Sequence, residues 1–280
     1  MKLFIRPKEV VKSTSNYYKE WLSQLQKHYP NAKIPKHYQD ETRSYSEYNY
    51  SSASIVSSIK TGHFEAALQL TKKYFHDSNA IDFGCADGVF LPSLSKYYKN
   101  VFGFDIMQDF INDATLLKEK MSLNNVELCC TKGLIFEEMK ASLKGKPYHI
   151  VYLLEVMEHV GDTGETMYAD KRNLLVQVSN LLEKDGIIVV SVPKMVGFSY
   201  LIQRMGLIVL GLGREPISIS DFLKSVFLCD ASSMEKNWWH NYGHLGFNHL
   251  KLEKELAPEF TIIKKKNLLF QVVYLLKRKI

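Results

Sequence analysis

Cysteine is scarce in this chain of 280 residues: Cys85, Cys129, Cys130 and Cys229 include no C-x-x-C pair. That spacing excludes a zinc knuckle and a disulfide-stapled scaffold, and reduced thiols in a cytoplasmic setting are expected. Long apolar runs are missing as well. No stretch reaches the roughly 20 uninterrupted apolar residues of a membrane span, and the nearest, 195–213, carries Gln203-Arg204 at its centre. Near the N-terminus Phe4-Ile5 is stopped by Arg6-Pro7, so no secretory signal core is expected. Internal repeats are absent, and a short Ser/Tyr-rich stretch at 44–58 is the one biased tract. The dinucleotide fingerprint G-x-G-x-x-G is also missing, which disfavours a nicotinamide dehydrogenase.

What is present describes a packed domain. A hydrophobic content of 46% with 12% aromatics supports a real core, and the length suits one large domain or a domain with an insertion. The formal net charge is +6. Lys264, Lys265, Lys266, Lys277, Arg278 and Lys279 all follow the last acid, Glu259, and account for that whole excess. Such a basic end reads as a solvated face, with contact to anionic lipid or nucleic acid as the alternative.

The most informative segment is Ala80-Ile81-Asp82-Phe83-Gly84-Cys85-Ala86-Asp87-Gly88, followed by Val101-Phe102-Gly103-Phe104-Asp105. Its apolar start predicts a buried strand, and Gly84 and Gly88 bracket a turn that opens a helix. A second strand then ends in an acid. Together they describe a nucleoside cofactor site, with the Asp105 carboxylate accepting hydrogen bonds from ribose hydroxyls. Asp82 sits inside an apolar run, where a carboxylate must be met by turn amides or by the cofactor. Cys85 reads as a small packing residue.

Strands are predicted near 79–84, 101–105, 126–130, 149–154 and 187–191, and helices near 63–75, 88–98, 108–121, 135–143 and 166–183. Alternation of this kind implies parallel β-α units in three layers. Leu174, Leu175, Val178, Leu181 and Leu182 recur at helical spacing, and Gly186 is expected to supply a left-handed stop. Residues 260–263 and 268–276 read as two late strands joined through 264–267. Between Pro193 and Asn248 the chain is too long for an ordinary connection. Within it, 219–228 starts with Ser220-Asp221 as an expected helix cap, and Trp238-Trp239-His240-Asn241-Tyr242-Gly243-His244 follows. Four regions result: an N-terminal helical cap (1–60), a cofactor-binding core (61–193), a substrate-side insertion (194–247) and a C-terminal completion of the sheet (248–280).

The glycine turn resembles motif I of the class I S-adenosylmethionine-dependent methyltransferases, commonly (V/L)-L-D-x-G-C-G-x-G. Ile81, Asp82, Gly84, Cys85, Asp87 and Gly88 match, and Ala86 replaces the middle glycine. Val101 to Ile106 is similar to the second motif, whose acid holds the ribose. Tyr148-His149-Ile150-Val151-Tyr152-Leu153-Leu154-Glu155-Val156-Met157-Glu158-His159-Val160 resembles the fourth-strand motif F-D-x-V-x-x-x-E-V-L-E-H-V. Residues 181–193 are similar to the helix-turn-strand after it. After the third strand, Thr131-Lys132 stand where the family often places an acid near the adenine. The resemblance spans 75–195 and, less fully, 245–280.

It implies a three-layer, Rossmann-like α/β methyltransferase fold: a mostly parallel seven-stranded sheet with a terminal antiparallel hairpin and a helical insertion after the fifth strand. It implies S-adenosyl-L-methionine as cofactor, contacted by Asp82, Gly84, Cys85, Ala86, Asp87, Gly88, Asp105, Ile106 and Glu155, with Arg43 of the N-terminal cap on its carboxylate.

Glu155, Glu158 and His159 would share a face if the chain turns helically there. His159 suits a general base. Two carboxylates and an imidazole also suit a divalent cation, and ubiquinone-biosynthesis O-methyltransferases use a similar E-x-x-E-H with a divalent metal. Many relatives use the segment only as a pocket floor. No metal ligand is assigned. The candidate catalytic residues are His159, Glu158 and His244, with His240 and His249 as further histidines of the same region.

The expected activity is methyl transfer to a small-molecule or lipid- or glycan-linked acceptor, at oxygen by resemblance to the E-x-x-E-H branch. The alternatives are a nucleic-acid methyltransferase, against which stands the absence of N-P-P-(Y/F) and D-P-P-(Y/F), and a non-catalytic S-adenosylmethionine-binding protein. The 195–213 segment reads either as a helical lid or as an amphipathic helix touching the inner face of a membrane. The expected location is cytoplasmic.

Overall fold

The computed structural model describes residues 2–7, 13, 20, 23, 27, 44–50, 59–161, 166–209, 217–235 and 244–279. Arg43, Trp238, Trp239 and His240 lie outside the described residues.

The five apolar stretches between 79 and 193 form β1 (Ala80–Phe83), β2 (Val101–Asp105), β3 (Val126–Cys130), β4 (Ile150–Leu154) and β5 (Ile187–Pro193). With β6 (Phe260–Asn267) and β7 (Gln271–Arg278) they make a seven-stranded sheet of order β3-β2-β1-β4-β5-β7-β6. Strands β1 to β5 run parallel, and β7 is antiparallel to both β5 and β6. The strand order reverses at β1 and β4, which opens a crevice beyond their C-terminal ends.

Among the described residues the α-helices with defined bounds are α1 (Tyr45–Tyr50), α2 (Gly62–Thr71), α3 (Leu91–Tyr97), α4 (Gln108–Lys120), α5 (Phe136–Ser142), α6 (Met167–Ser179), α7 (Phe198–Val209), α8 (Ile219–Leu223) and α9 (His249–Leu256). The two-residue period of the strands divides the core between the two faces of the sheet. Val151, Leu153, Ile188, Val190 and Tyr274 pack with Leu175 and Val178 of α6 and Leu252 of α9. Ile150, Tyr152, Ile187, Val189 and Leu275 pack with Phe64 and Leu68 of α2, Leu94 of α3 and Ala114 of α4. On this second face the Tyr152 hydroxyl lies 2.6 Å from both Thr71 Oγ1 and the Tyr98 hydroxyl, so three buried polar groups satisfy one another.

The N-terminal residues lie over this face. Leu3 N and Phe4 N both donate to Glu65 Oε2 at 2.8 Å, Ile5 N donates to Ser93 Oγ at 2.8 Å, and the Phe4 ring stacks on Phe64 with centroids 4.8 Å apart.

Three local expectations need correction. The terminal hairpin turns at 268–270 rather than at 264–267, so Lys264, Lys265 and Lys266 belong to the edge strand β6. Lysines there oppose edge-to-edge association, and Lys265 and Lys277 pair with Glu253 and Asp185. Gly186 is not left-handed: α6 ends at Ser179 with Asn180 at φ −76. A Cβ on Gly186 would stand 2.6 Å from Leu182 Cβ, so close approach in the turn into β5 requires glycine. The cap of α8 is Ser218, whose hydroxyl accepts from Asp221 N at 3.0 Å, in place of Ser220-Asp221. Among the described residues, no helix is long and apolar enough to cross a membrane.

Candidate active site

The turn after β1 is built by backbone geometry. Gly84 and Gly88 have φ of +83 and +88, and Ala86, at the position of the missing glycine, has φ +46. A left-handed alanine is strained by about 1–2 kcal/mol, and hydrogen bonds hold it. Gly84 N and Cys85 N donate to Phe104 O at 2.7 and 2.9 Å, and Ala86 N donates to Asp105 Oδ2 at 2.9 Å. The other Asp105 oxygen accepts from Met107 N at 2.9 Å. One carboxylate at the end of β2 therefore braces the glycine turn. A Cβ on Gly84 would stand 2.4 Å from Val156 Cγ2, so the β4 turn demands glycine whatever else approaches it.

Beside this turn lies a cavity of about 560 Å³, within the usual range for small-ligand sites. Asp82, Gly84, Cys85, Ala86, Asp105, Ile106 and Glu155 all line it. The Asp82 carboxylate is buried, and among the described residues its Oδ2 has no hydrogen-bond partner. Burial, then the neighbouring Asp105, pushes it up to about 8. Burial also raises Asp105, against the N–H groups of Met107 and Ala86. A buried acceptor without a donor at the wall of an open cavity fits a cationic or hydrogen-bonding ligand.

Asp87 and Gly88 are expected cofactor contacts, but neither lines this cavity. The Asp87 carboxylate accepts instead from Ser46 N at 2.7 Å and from the Ser46 hydroxyl, which ties α1 to the turn. Gly88 faces α3 and α4, where a Cβ would meet Leu91 Cδ1 at 2.9 Å. Arg43 is outside the described residues.

At the end of β4 the chain makes a left-handed step before it turns helically. Glu155 is left-handed at φ +57, and a short 3₁₀ turn, Met157–His159, follows. Glu155 N donates to Ser191 Oγ at 3.1 Å, and Ser191 Oγ returns a bond to Glu155 Oε1 at 2.8 Å. Ser191 on β5 thus fixes a strained residue, a role the sequence did not announce. Burial raises Glu155 above the ordinary carboxylate range, while hydrogen bonds from Ser191 and Gln271 oppose the shift.

The three candidate catalytic residues come together. The His159 and His244 rings lie 4.7 Å apart between centroids, and His244 Nδ1 is 3.7 Å from Glu158 Oε1. Donor atoms of all three lie within 4.8 Å of one another. Their exposures differ. His159 lines the first cavity and a second of about 280 Å³; His244 lines the second. Glu158 is fully buried and lines neither cavity. His249 is buried at the start of α9, lines neither cavity, and is pushed down to about 4 by burial.

The two cavities share Tyr45, Tyr50, Glu155 and His159. The second adds Tyr200, Gln203 and Arg204 of α7, Lys60 and Gln271. None of these was expected from sequence. Tyr200 and Gln203 fall within the apolar insertion at positions that a helical plot places on one side.

A parallel sheet reversed at β1 and β4, a glycine turn braced by the β2 acid, and an open crevice between them define the class I S-adenosylmethionine-dependent methyltransferases. The comparison with known sequences agrees: the profile of the methyltransferase-domain family matches residues 60–250, and this chain belongs to that family. A ubiquinone biosynthesis O-methyltransferase of Colwellia psychrerythraea is 31% identical over 101 residues, which is 35% of this chain and 38% of the relative's length. The N-methyltransferase NodS of Bradyrhizobium japonicum, solved with S-adenosyl-L-homocysteine, has the same fold: TM-score 0.53 at 13% identity, covering 95% of this chain and 99% of NodS. The PH0226 protein of Pyrococcus horikoshii aligns with TM-score 0.56 at 14% identity, covering 88% and 100%.

Proposed function

We propose that this chain transfers the methyl group of S-adenosylmethionine to a hydroxyl oxygen of a small-molecule or lipid- or glycan-linked acceptor. The observation that carries the reading is the meeting of two cavities at His159 and Glu155. The larger, walled by the glycine turn and Asp105, suits the cofactor; the smaller suits the acceptor.

When bound, the sulfonium supplies an electrophilic methyl carbon and leaves as a neutral thioether. The protein's residues do the rest. Asp105 would accept from the ribose hydroxyls, and Asp82 would meet the cationic end of the donor, since both line the larger cavity. The cavity walls align acceptor oxygen and methyl carbon and exclude water. As the new O–CH₃ bond forms, an imidazole nitrogen of His159 takes the hydroxyl proton. His244 orients that ring or the acceptor. The choice of oxygen is supported by the similarity to the ubiquinone biosynthesis O-methyltransferase over 101 residues.

A lipid-linked acceptor is favoured by α7. Its Tyr200, Gln203 and Arg204 line the smaller cavity, while Phe198, Ile208 and Val209 are 70%, 66% and 84% exposed. Ile219, Phe227 and Leu228 extend the exposed apolar surface at 80%, 72% and 72%. A helix with one side on the acceptor cavity and apolar side chains outside suits interfacial contact with a bilayer. Flotation with liposomes, with and without residues 196–213, tests this extension; equal flotation removes it.

The main reading is tested by calorimetric titration with S-adenosylhomocysteine and NADH in parallel, then by a methyl-acceptor screen. Binding of S-adenosylhomocysteine alone supports it. Binding of NADH, or of neither, overturns it.

A further inference from the structure

Lys171 sits on the buried stripe of α6, in line with Met167, Leu175 and Val178, and has no exposed surface. An ammonium on an apolar stripe is costly unless its charge and donors are met. Its Nζ donates to Val160 O at 2.5 Å and approaches Glu158 O at 3.5 Å, the carbonyls on either side of His159. The rings of Tyr168 and Phe247 face it with centroids at 5.9 and 5.7 Å.

We propose that Lys171 is a positioning residue of the candidate active site, clamping through the Val160 and Glu158 carbonyls the turn that presents His159. The inference rests on the methyl-transfer reading for its catalytic consequence.

Burial, then Glu155, pushes the Glu158 carboxyl well above the ordinary range; what touches the Lys171 ammonium is the Val160 carbonyl and the two ring faces. Burial lowers Lys171 to about 8, against the attraction of Glu158, Asp170 and Glu235. On the neighbouring side, Lys251 lies over the Tyr168 ring at 4.6 Å. Gly161, at φ +82, closes the same corner: a Cβ there would stand 3.0 Å from Met167 O. The turn bearing His159 is thus packed directly on the first turns of α6.

The test is Lys171→Met in the full chain, with Lys171→Gln as a milder second variant. Methionine keeps most of the apolar stem and removes the N–H donors to the two carbonyls; glutamine keeps a shorter donor group. Lys171→Met should lower the unfolding temperature, because the Val160 carbonyl loses its donor. In turnover it should lower kcat by up to about a hundredfold with KM for the acceptor and S-adenosylhomocysteine affinity little changed, and the His159 ring resonances should shift in NMR spectra of the folded variant; Lys171→Gln should change both less. Unchanged kcat, or unshifted His159 resonances in both folded variants, would overturn the proposal. The spectra need no acceptor. If no acceptor is ever methylated, the functional reading fails while the clamp on the His159 turn is still decided.

Discussion

Asp87 accepts two hydrogen bonds from Ser46, one from the backbone N–H at 2.7 Å and one from the hydroxyl. Residues 41 apart in sequence therefore join α1 to the glycine turn, and Tyr45 and Tyr50 of that helix line the larger cavity. Burial raises the Asp87 carboxyl to about 6, with the Ser46 hydrogen bonds opposing it. Loss of one hydrogen bond to an ionised group is worth about 1.5–3 kcal/mol. Ser46→Ala should weaken S-adenosylhomocysteine binding by about tenfold, through loss of the cover over the cavity, as read by calorimetry. Unchanged affinity would show that α1 is not part of the binding wall.

Asp82 makes cofactor binding pH-dependent. With its carboxyl pushed up to about 8, it is largely protonated at neutral pH in the ligand-free protein. A cationic ligand beside it favours the carboxylate, so binding should release a proton. Affinity for S-adenosylmethionine should therefore rise with pH up to about 8 and level off above it. Calorimetry at pH 7 in buffers of different ionisation heat reads the proton directly. Asp82→Asn should abolish the release; an unaltered proton count in that variant would place the titration elsewhere.

His159→Ala should separate binding from chemistry. Loss of a general base lowers turnover by about 10²–10⁴-fold, while the cofactor's affinity should change little because Asp105 and the glycine turn stay in place. Single-turnover methyl transfer beside calorimetry measures both. Full turnover in the variant would remove His159 from proton transfer.

Gly84→Ala should destabilise the fold independently of any ligand. The new methyl would stand 2.4 Å from Val156 Cγ2 on a residue whose φ is +83. Overpacking of this sort costs about 1–3 kcal/mol, and the left-handed backbone adds about 1–2 kcal/mol. Val156→Ala should relieve the first part and leave the second, so the double variant should regain only part of the loss in a denaturant titration.

Much of the architecture was readable because it depends on local periodicity. Apolar runs placed β1 to β5 within a residue or two, and the stripe with Leu175 and Val178 placed the start of α6, whose end falls at Ser179 rather than 183, so Leu181 and Leu182 lie beyond it. Hydrogen-bond closure was less readable. The hairpin slid to 268–270 because β6 runs as an exposed edge, where lysines are as acceptable as apolar residues. At the candidate site, the residue types His159, His244 and Asp105 were visible by motif and charge. Ser191, Gln271 and Tyr200 were not, because each is an ordinary member of its own strand or helix. Lys171 left a faint mark, a lysine on an apolar stripe, but its meaning required the position of the 3₁₀ turn.

The amino-acid order alone determined the alternating elements, the glycine turn and the acid after β2, since these follow from side-chain period and backbone freedom. Only the tertiary structure decided that Asp87 faces Ser46, that Glu158 is fully buried, and that His244 from the distant insertion meets His159. The reason is physical: direction and burial of a polar side chain are set by which partners the packed sheet and helices bring within hydrogen-bond reach, and those partners lie tens of residues away along the chain.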